Sequence, residues 1–547
     1  MSAFLSTWVG VDDAAHVAVT VTGDAAEAVS SHVPALVADA VASRIAAKDY
    51  TLWGEEAEAE SKIRLGWTEL FETTRGILPE LAALVAAAKA EGKSRIVLAG
   101  MGGSSLGPEV ICATYDVPLV TLDSTDPDQV RDALDGDLES TILVVSSKSG
   151  GTVETDSQRR AFEEAFEASG LDPRQHIVVV TDPGSPLHKA SVDAGYRAVF
   201  LADPNVGGRF SVLSAFGVVP SALAGVPVAE LLDEAAAVAE SFAEDIEANP
   251  ALVLGAAMAG TSRDKLVISD VGSGLVGFGD WAEQLIAEST GKNGVGVLPV
   301  VAEANAPDAG LADVLDVRLA PLDHEIDGSD VDLPTNGIVV SGTLGGQFLL
   351  WEYATSIAGR ILGISPFDQP NVESAKVASR ALLDALPEPE PPLFVDGGIE
   401  VRALQLDLDG VTTVAGALAA LESTLGERGY VAVMAYLDRE ANPALPSVRS
   451  SIAARTARPT TFGWGPRFLH STGQLHKGGA PIGVFLQITG TFADDLEIQG
   501  RPFTFEQLIA AQAQGDAAVL ADHDRPVLIL TLTESSQVAD VLAVLKG

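Results

Sequence analysis

Two short segments rich in glycine and hydroxyl side chains, Gly100-Met101-Gly102-Gly103-Ser104-Ser105-Leu106-Gly107-Pro108 and Ser146-Ser147-Lys148-Ser149-Gly150-Gly151-Thr152, have the chemistry of a phosphate cradle. Each follows an apolar, strand-like run and opens a helical one. The first N–H groups of a helix lack intrahelical acceptors and lie at the positive end of its dipole, so a glycine-lined approach bearing hydroxyls suits an anion. Gly102 and Gly103 remove the Cβ atoms that would hold a ligand away from the backbone. A tight turn alone would explain either segment. Neither is a nucleotide motif, because the first lacks the G-x-G-x-x-G spacing and the second is not a P-loop. Ser147, Lys148, Ser149 and Thr152 place three hydroxyls and an ammonium within six residues, more than a turn requires.

Other groups add acid–base chemistry. Arg209, in Gly207-Gly208-Arg209-Phe210-Ser211, puts a permanently charged guanidinium before a helical segment, where it holds an anionic intermediate or caps a surface. Glu288 closes the helical run that starts at Trp281, just before Gly291, where the dipole opposes a carboxylate's charge; a solvated glutamate is the plainer reading. Lys376 lies about one turn inside the helix that follows Phe367-Asp368-Gln369-Pro370-Asn371, a place where surface lysines are common. His470 and His476 lie in a C-terminal stretch rich in glycine and hydroxyls, and histidine exchanges protons near neutrality. A structural role for both stands beside that reading. A His-x5-His pair without a neighbouring cysteine or carboxylate cluster is a poor metal set, so no metal is expected.

These side chains need a large scaffold. A chain of 547 residues divides into three or four cores, and 47 % hydrophobic with 20 % charged residues is a globular composition. The single cysteine, Cys112, excludes an intramolecular disulfide, fits a reducing cytoplasm and sits in an apolar run that predicts a buried thiol. The N-terminus shows no secretory signal. The uncharged run from Phe210 to Ala229 is long enough for a membrane span, but Gly217, Pro220, Gly225 and Pro227 make it a buried helix and its connection. The net charge of -42 argues against nucleic acid and anionic membranes as partners. Salt screens charge over roughly 8 Å, so an anionic ligand needs only a local cluster such as Lys148, Arg209, Lys292 and Lys376.

Residues 24–92 read mainly as helices packed on a first sheet. Apolar runs at Ile96–Leu98, Leu119–Thr121, Ile142–Val145, Ile177–Val180 and Ala198–Phe200 alternate with helices, the pattern of a parallel sheet covered on both faces. A second alternating unit has strands at Leu266–Ile268, Val295–Val300 and Gly337–Val340. Alternating proline and glutamate at 387–392 marks a linker. Beyond it, Tyr430–Leu437, Gly483–Thr489 and Pro526–Leu532 predict a smaller α/β domain.

Taken in order, GMGGSSLGP, SSKSGGT, GGRFS, ESTGK and FDQPNVESAK resemble phosphoglucose isomerase over about residues 45–386, and Ser61–Trp67 with Gly465–Gly479 resemble the isomerase half of bifunctional transaldolase–phosphoglucose isomerases. The resemblance implies an α/β fold: two doubly wound parallel-sheet sugar-isomerase (SIS-type) domains plus a smaller C-terminal α/β domain. The boundaries read as 1–262 for the N-terminal helices and first domain, 263–386 for the second, 387–394 for the linker and 395–547 for the last. It further implies reversible isomerisation of glucose 6-phosphate and fructose 6-phosphate through a cis-enediol, by a cofactor-free cytoplasmic enzyme and homodimer. Glu288 matches the family's base, Arg209 its enediolate stabiliser, and Lys376 and Gln369 positions near the sugar ring. Gly103, Ser104, Ser147, Lys148, Ser149 and Thr152 match its sugar-phosphate site. Two departures stand out: Asn371 replaces a glycine, and the helix Gly346–Glu352 lacks the ring-opening histidine, a role open to His470 or His476. That loss motivates the alternative of a non-catalytic sugar-phosphate sensor.

Overall fold

The computed structural model describes residues 4–10, 16–322, 333–385 and 391–547. The strands are β1 (Phe4–Val9), β2 (Val17–Thr22), β3 (Arg95–Gly100), β4 (Val120–Leu122), β5 (Thr141–Ser146), β6 (Ile177–Thr181), β7 (Ala198–Leu201), β8 (Lys265–Asp270), β9 (Leu298–Ala302), β10 (Val314–Leu319) and β11 (Gly337–Gly342). After the linker come β12 (Phe394–Asp396), β13 (Ile399–Leu404), β14 (Tyr430–Tyr436), β15 (Thr460–Trp464), β16 (Gly483–Gly490) and β17 (Val527–Leu532). They build three sheets, ordered β4-β3-β5-β6-β7, β1-β2-β11-β10-β8-β9 and β12-β13-β17-β16-β14-β15.

The first sheet is parallel throughout, and its central strands β3, β5 and β6 are buried because helices cover both faces. Its order turns back between β3 and β5. In a doubly wound sheet that reversal opens a crevice beyond the carboxyl ends of the two strands, and both glycine-serine segments leave from there. The parallel parts of the other two sheets repeat the same order, with β8 beside β10 and β14 beside β16 at the reversal.

The N-terminal grouping needs correction. β1 and β2 pair antiparallel, and β2 then pairs with β11, so the first strands extend the second sheet rather than accompany the first domain. The helix Asp24–Ala38 packs with β2 and the helix Pro250–Ala259, whereas the helix Leu78–Ala90 lies against the helix Ala215–Ala224, so residues 24–92 divide between two units. Residues 387–390 of the linker lie outside the described residues, and Phe394 at its end already belongs to β12. The run 210–229 folds as a buried helix, Ala215–Ala224, then a turn at Gly225.

One continuous core joins the first two units. The C-terminal domain sits against both: Phe503, Phe505 and Leu508 pack with Val97, Leu143 and Phe162, while Tyr430, Phe485 and Leu520 share a cluster with Val267 and Val300. Burial of one such side chain contributes about 1.5–3 kcal/mol, so this interface is part of the fold. No helix of the described residues is long and apolar enough to cross a membrane.

Candidate active site

A cleft of about 420 Å³ lies where the two glycine-serine segments meet, and its lining includes Gly103, Ser104, Ser147, Lys148, Ser149, Thr152, Arg209, Glu288, Gln369 and His470. After β3 the chain makes a single 3-10 turn, Gly102–Ser104. A Cβ at Gly103 would lie 2.0 Å from the Gly208 carbonyl oxygen, so this turn and the Arg209 turn are in backbone contact. After β5, Thr152 caps the helix Val153–Ala168 in extended conformation without spending its hydroxyl on the first-turn N–H groups. That hydroxyl lies 3.1 Å from Ser147 Oγ, which accepts from the Gly150 N–H. Lys148 is tethered: its Nζ donates to Asp182 Oδ2 at 2.6 Å, and burial holds its pKa below the ordinary lysine range.

The opposite wall holds Glu288 and Arg209. Glu288 lies in the last turn of the helix Phe278–Thr290, its side chain 12 % exposed, with Oε1 3.0 Å from Arg209 Nη1 and Oε2 accepting from Gln284 Nε2 at 3.1 Å. Arg209 is 2 % exposed. Its Nε donates to Ser289 Oγ at 2.7 Å, Nη1 to Gln369 Oε1 at 2.8 Å, and Nη2 to the carbonyls of Pro366 and Asp368 at 2.6 and 3.2 Å. Lys292 secures the same loop from behind, donating to the Ser365 carbonyl and to Asp368; burial, with the Arg209 charge adding to it, pushes its pKa down to about 8. Each group comes from a different segment, yet both walls converge on one volume.

The phosphoglucose isomerase family model matches residues 86–292, a span that holds both serine-rich loops, Arg209 and Glu288. A probable glucose-6-phosphate isomerase of Methanococcus maripaludis is 32 % identical over 337 residues, 51 % of this chain and 76 % of that protein. A glucose-6-phosphate isomerase of Rubrobacter xylanophilus is 30 % identical over 357 residues, covering 53 % of this chain and 82 % of the relative. The chain belongs to the phosphoglucose isomerase family. Among solved structures, a hypothetical protein of Thermus thermophilus aligns over 65 % of this chain and 96 % of its own with a TM-score of 0.53 and 26 % identity. The glucose-6-phosphate isomerase of Chlamydia trachomatis shares the fold, with a TM-score of 0.50 at 21 % identity, over 61 % of this chain and 75 % of that one.

The histidine-free run Gly346–Glu352 lies in the helix Leu344–Leu362, where Phe348 is fully buried against Phe278 and Trp281 with centroids 5.5 and 4.7 Å away. His470 instead reaches the cleft from the C-terminal domain. Its Nε2 lies 3.0 Å from Glu154 Oε1, an oxygen that also accepts from Gln512 Nε2, and its carbonyl accepts from Gln284 Nε2 at 2.8 Å. His476 is elsewhere. It is buried, 2.9 Å from the Tyr430 hydroxyl, and burial plus the nearby Lys477 and Arg525 charges lower its pKa to about 3, so it is a neutral core group away from the cleft. Lys376 lies on the helix Pro370–Ala385, and its side chain is outside the described residues. Cys112 is buried, which pushes its thiol up to about 12 and removes it from nucleophilic chemistry.

Sequence reasoning passed over Gln284, Ser289 and Glu154. Gln284 was within reach, since four residues before Glu288 on one helix is the adjoining position on the same face. Glu154 carries no comparable signal, because its partners His470 and Gln512 lie more than 300 residues away.

Proposed function

We propose that this cleft interconverts glucose 6-phosphate and fructose 6-phosphate. The observation that carries this reading is the Glu288–Arg209 pair, 3.0 Å apart and facing the same cleft as the serine-rich turn. A binding-only sensor would need the turn but not the pair. Ser147, Ser149, Thr152, Ser104 and the Gly103 backbone take the phosphate, with Lys148 adding positive charge. His470 opens the ring together with Lys376. The Glu154 carboxylate accepts from Nε2 and leaves Nδ1 of His470 to exchange the proton. Glu288 then removes the C2 proton of the open-chain aldose while O1 gains one, giving a cis-enediol; returning a proton to C1 and releasing that of the C2 hydroxyl yields the ketose. Arg209 offsets the negative charge that develops on the enediolate oxygens. The enzyme works in the cytoplasm as a homodimer.

General acid–base catalysis contributes typically about 10² to 10⁴-fold. Glu288→Gln should therefore lower kcat by at least about 10²-fold with KM changed only a few-fold, measured by coupling fructose 6-phosphate production to a dehydrogenase. Activity within a few-fold of wild type would reject the assignment.

A further inference from the structure

We infer that the short C-terminal helix Gly473–Gly478 clamps together the two segments that build the Glu288–Arg209 wall of the cleft and that Gln474 is its positioning residue; the inference rests on the isomerase reading of that wall. Gln474 is fully buried. Its Nε2 donates to the Gly291 carbonyl at 2.8 Å and to Asn371 Oδ1 at 2.9 Å, and its Oε1 accepts the Asn371 N–H at 2.9 Å. Gly291 ends the helix that carries Glu288 and Ser289, while Asn371 lies in the first turn after Gln369, which holds Arg209. One primary amide, with two donors and one carbonyl acceptor, thus joins both catalytic segments.

The fit leaves no slack. A Cβ at Gly291 would lie 2.3 Å from Leu475 Cα, and one at Gly478 would lie 2.5 Å from Asn371 Oδ1 and 2.7 Å from Gln474 Nε2. The Gly294 N–H donates to the Gly478 carbonyl at 2.9 Å, adding a second tie to the segment after Glu288. The departure at Asn371 gains a physical role here: its side chain is half of a reciprocal pair that a glycine could not form.

The rest of the helix is anchored in its own domain. His476 meets the Tyr430 hydroxyl, Lys477 Nζ lies 2.5 Å from Asp516 Oδ1 with both side chains buried, and Arg525 donates to the carbonyls of His476 and Gly479 at 3.3 and 3.0 Å. Three neighbouring residues therefore divide the labour. Gln474 faces the Glu288–Arg209 wall, and His476 and Lys477 hold the helix against the C-terminal domain.

The test uses the full chain with Gln474→Ala, Asn371→Ala and the double variant, assayed with glucose 6-phosphate and by hydrogen–deuterium exchange. A displacement of about 1 Å in an active site costs up to about 10²-fold, so Gln474→Ala should lower kcat by about ten- to a hundredfold. KM should stay within about threefold, because the phosphate loops do not touch Gln474. Asn371→Ala should lower kcat less, and the double variant should lose less than the product of the two single losses, as expected of a contacting pair. Exchange should quicken over 288–296 and 366–374 and stay unchanged over 146–156. A Gln474→Ala kcat within about twofold of wild type, or single losses that simply multiply, would overturn the clamp. Failure of the wild-type chain to isomerise the sugar would instead overturn the proposed function, and exchange, which needs no turnover, still judges the clamp: unchanged rates at both segments refute it.

Discussion

Arg209 shows how much one side chain can organise. Its five N–H donors face Ser289, Gln369, Glu288 and two backbone carbonyls, a fan that only a planar guanidinium can present. Its identity was legible from Gly-Gly-Arg-Phe-Ser; its partners were not, since they lie about 80 and 160 residues downstream. The two C-terminal histidines make the same point, because similar surroundings in sequence gave one a place in the cleft and the other a place in the core. His476 has a measurable signature. Its folded-state pKa of about 3 lies below the unfolded value near 6.5, so from pH 6.5 down to about 3 the unfolded chain binds the extra proton and stability falls. The urea midpoint should therefore drop more steeply over that window in the wild type than in His476→Gln. Parallel profiles would show that the ring is not held neutral.

At the scale of elements, the glycine-serine loops proposed to take the phosphate depend on an order reversal between β3 and β5 and on glycine-to-glycine contact. Gly103→Ala forces a Cβ to within 2.0 Å of the Gly208 carbonyl, so the Gly102–Ser104 turn and the Arg209 turn must part. Overpacking of this kind costs about 1–3 kcal/mol, and KM for the sugar phosphate should rise by at least about tenfold, the equivalent of 1.4 kcal/mol. Titration with the sugar phosphate should show the same weakening, and unchanged affinity would mean that the contact is slack. The buried parallel strands were readable as continuous apolar runs, because burial on both faces leaves no alternation. β1, β2, β10, β12, β13 and β15 were not. The place of β2 depends on β11, more than 300 residues away, which no local pattern encodes.

For the whole molecule, charge and domain packing matter most. A net charge of -42 repels itself across the surface. Raising potassium chloride from low concentration to 1 M shortens the screening length to about 3 Å, so the thermal midpoint should rise by several degrees; a flat or falling midpoint in calorimetry would refute this. The chain's composition set its globular class, its α/β alternation and the cradle chemistry, because each follows from residue type and short-range spacing. Tertiary structure alone brought Glu288 to Arg209, supplied His470 from the C-terminal domain and paired Gln474 with Asn371. The physical reason is separation: contacts between residues 79 to more than 300 positions apart arise only when packed sheets bring distant loops to one crevice.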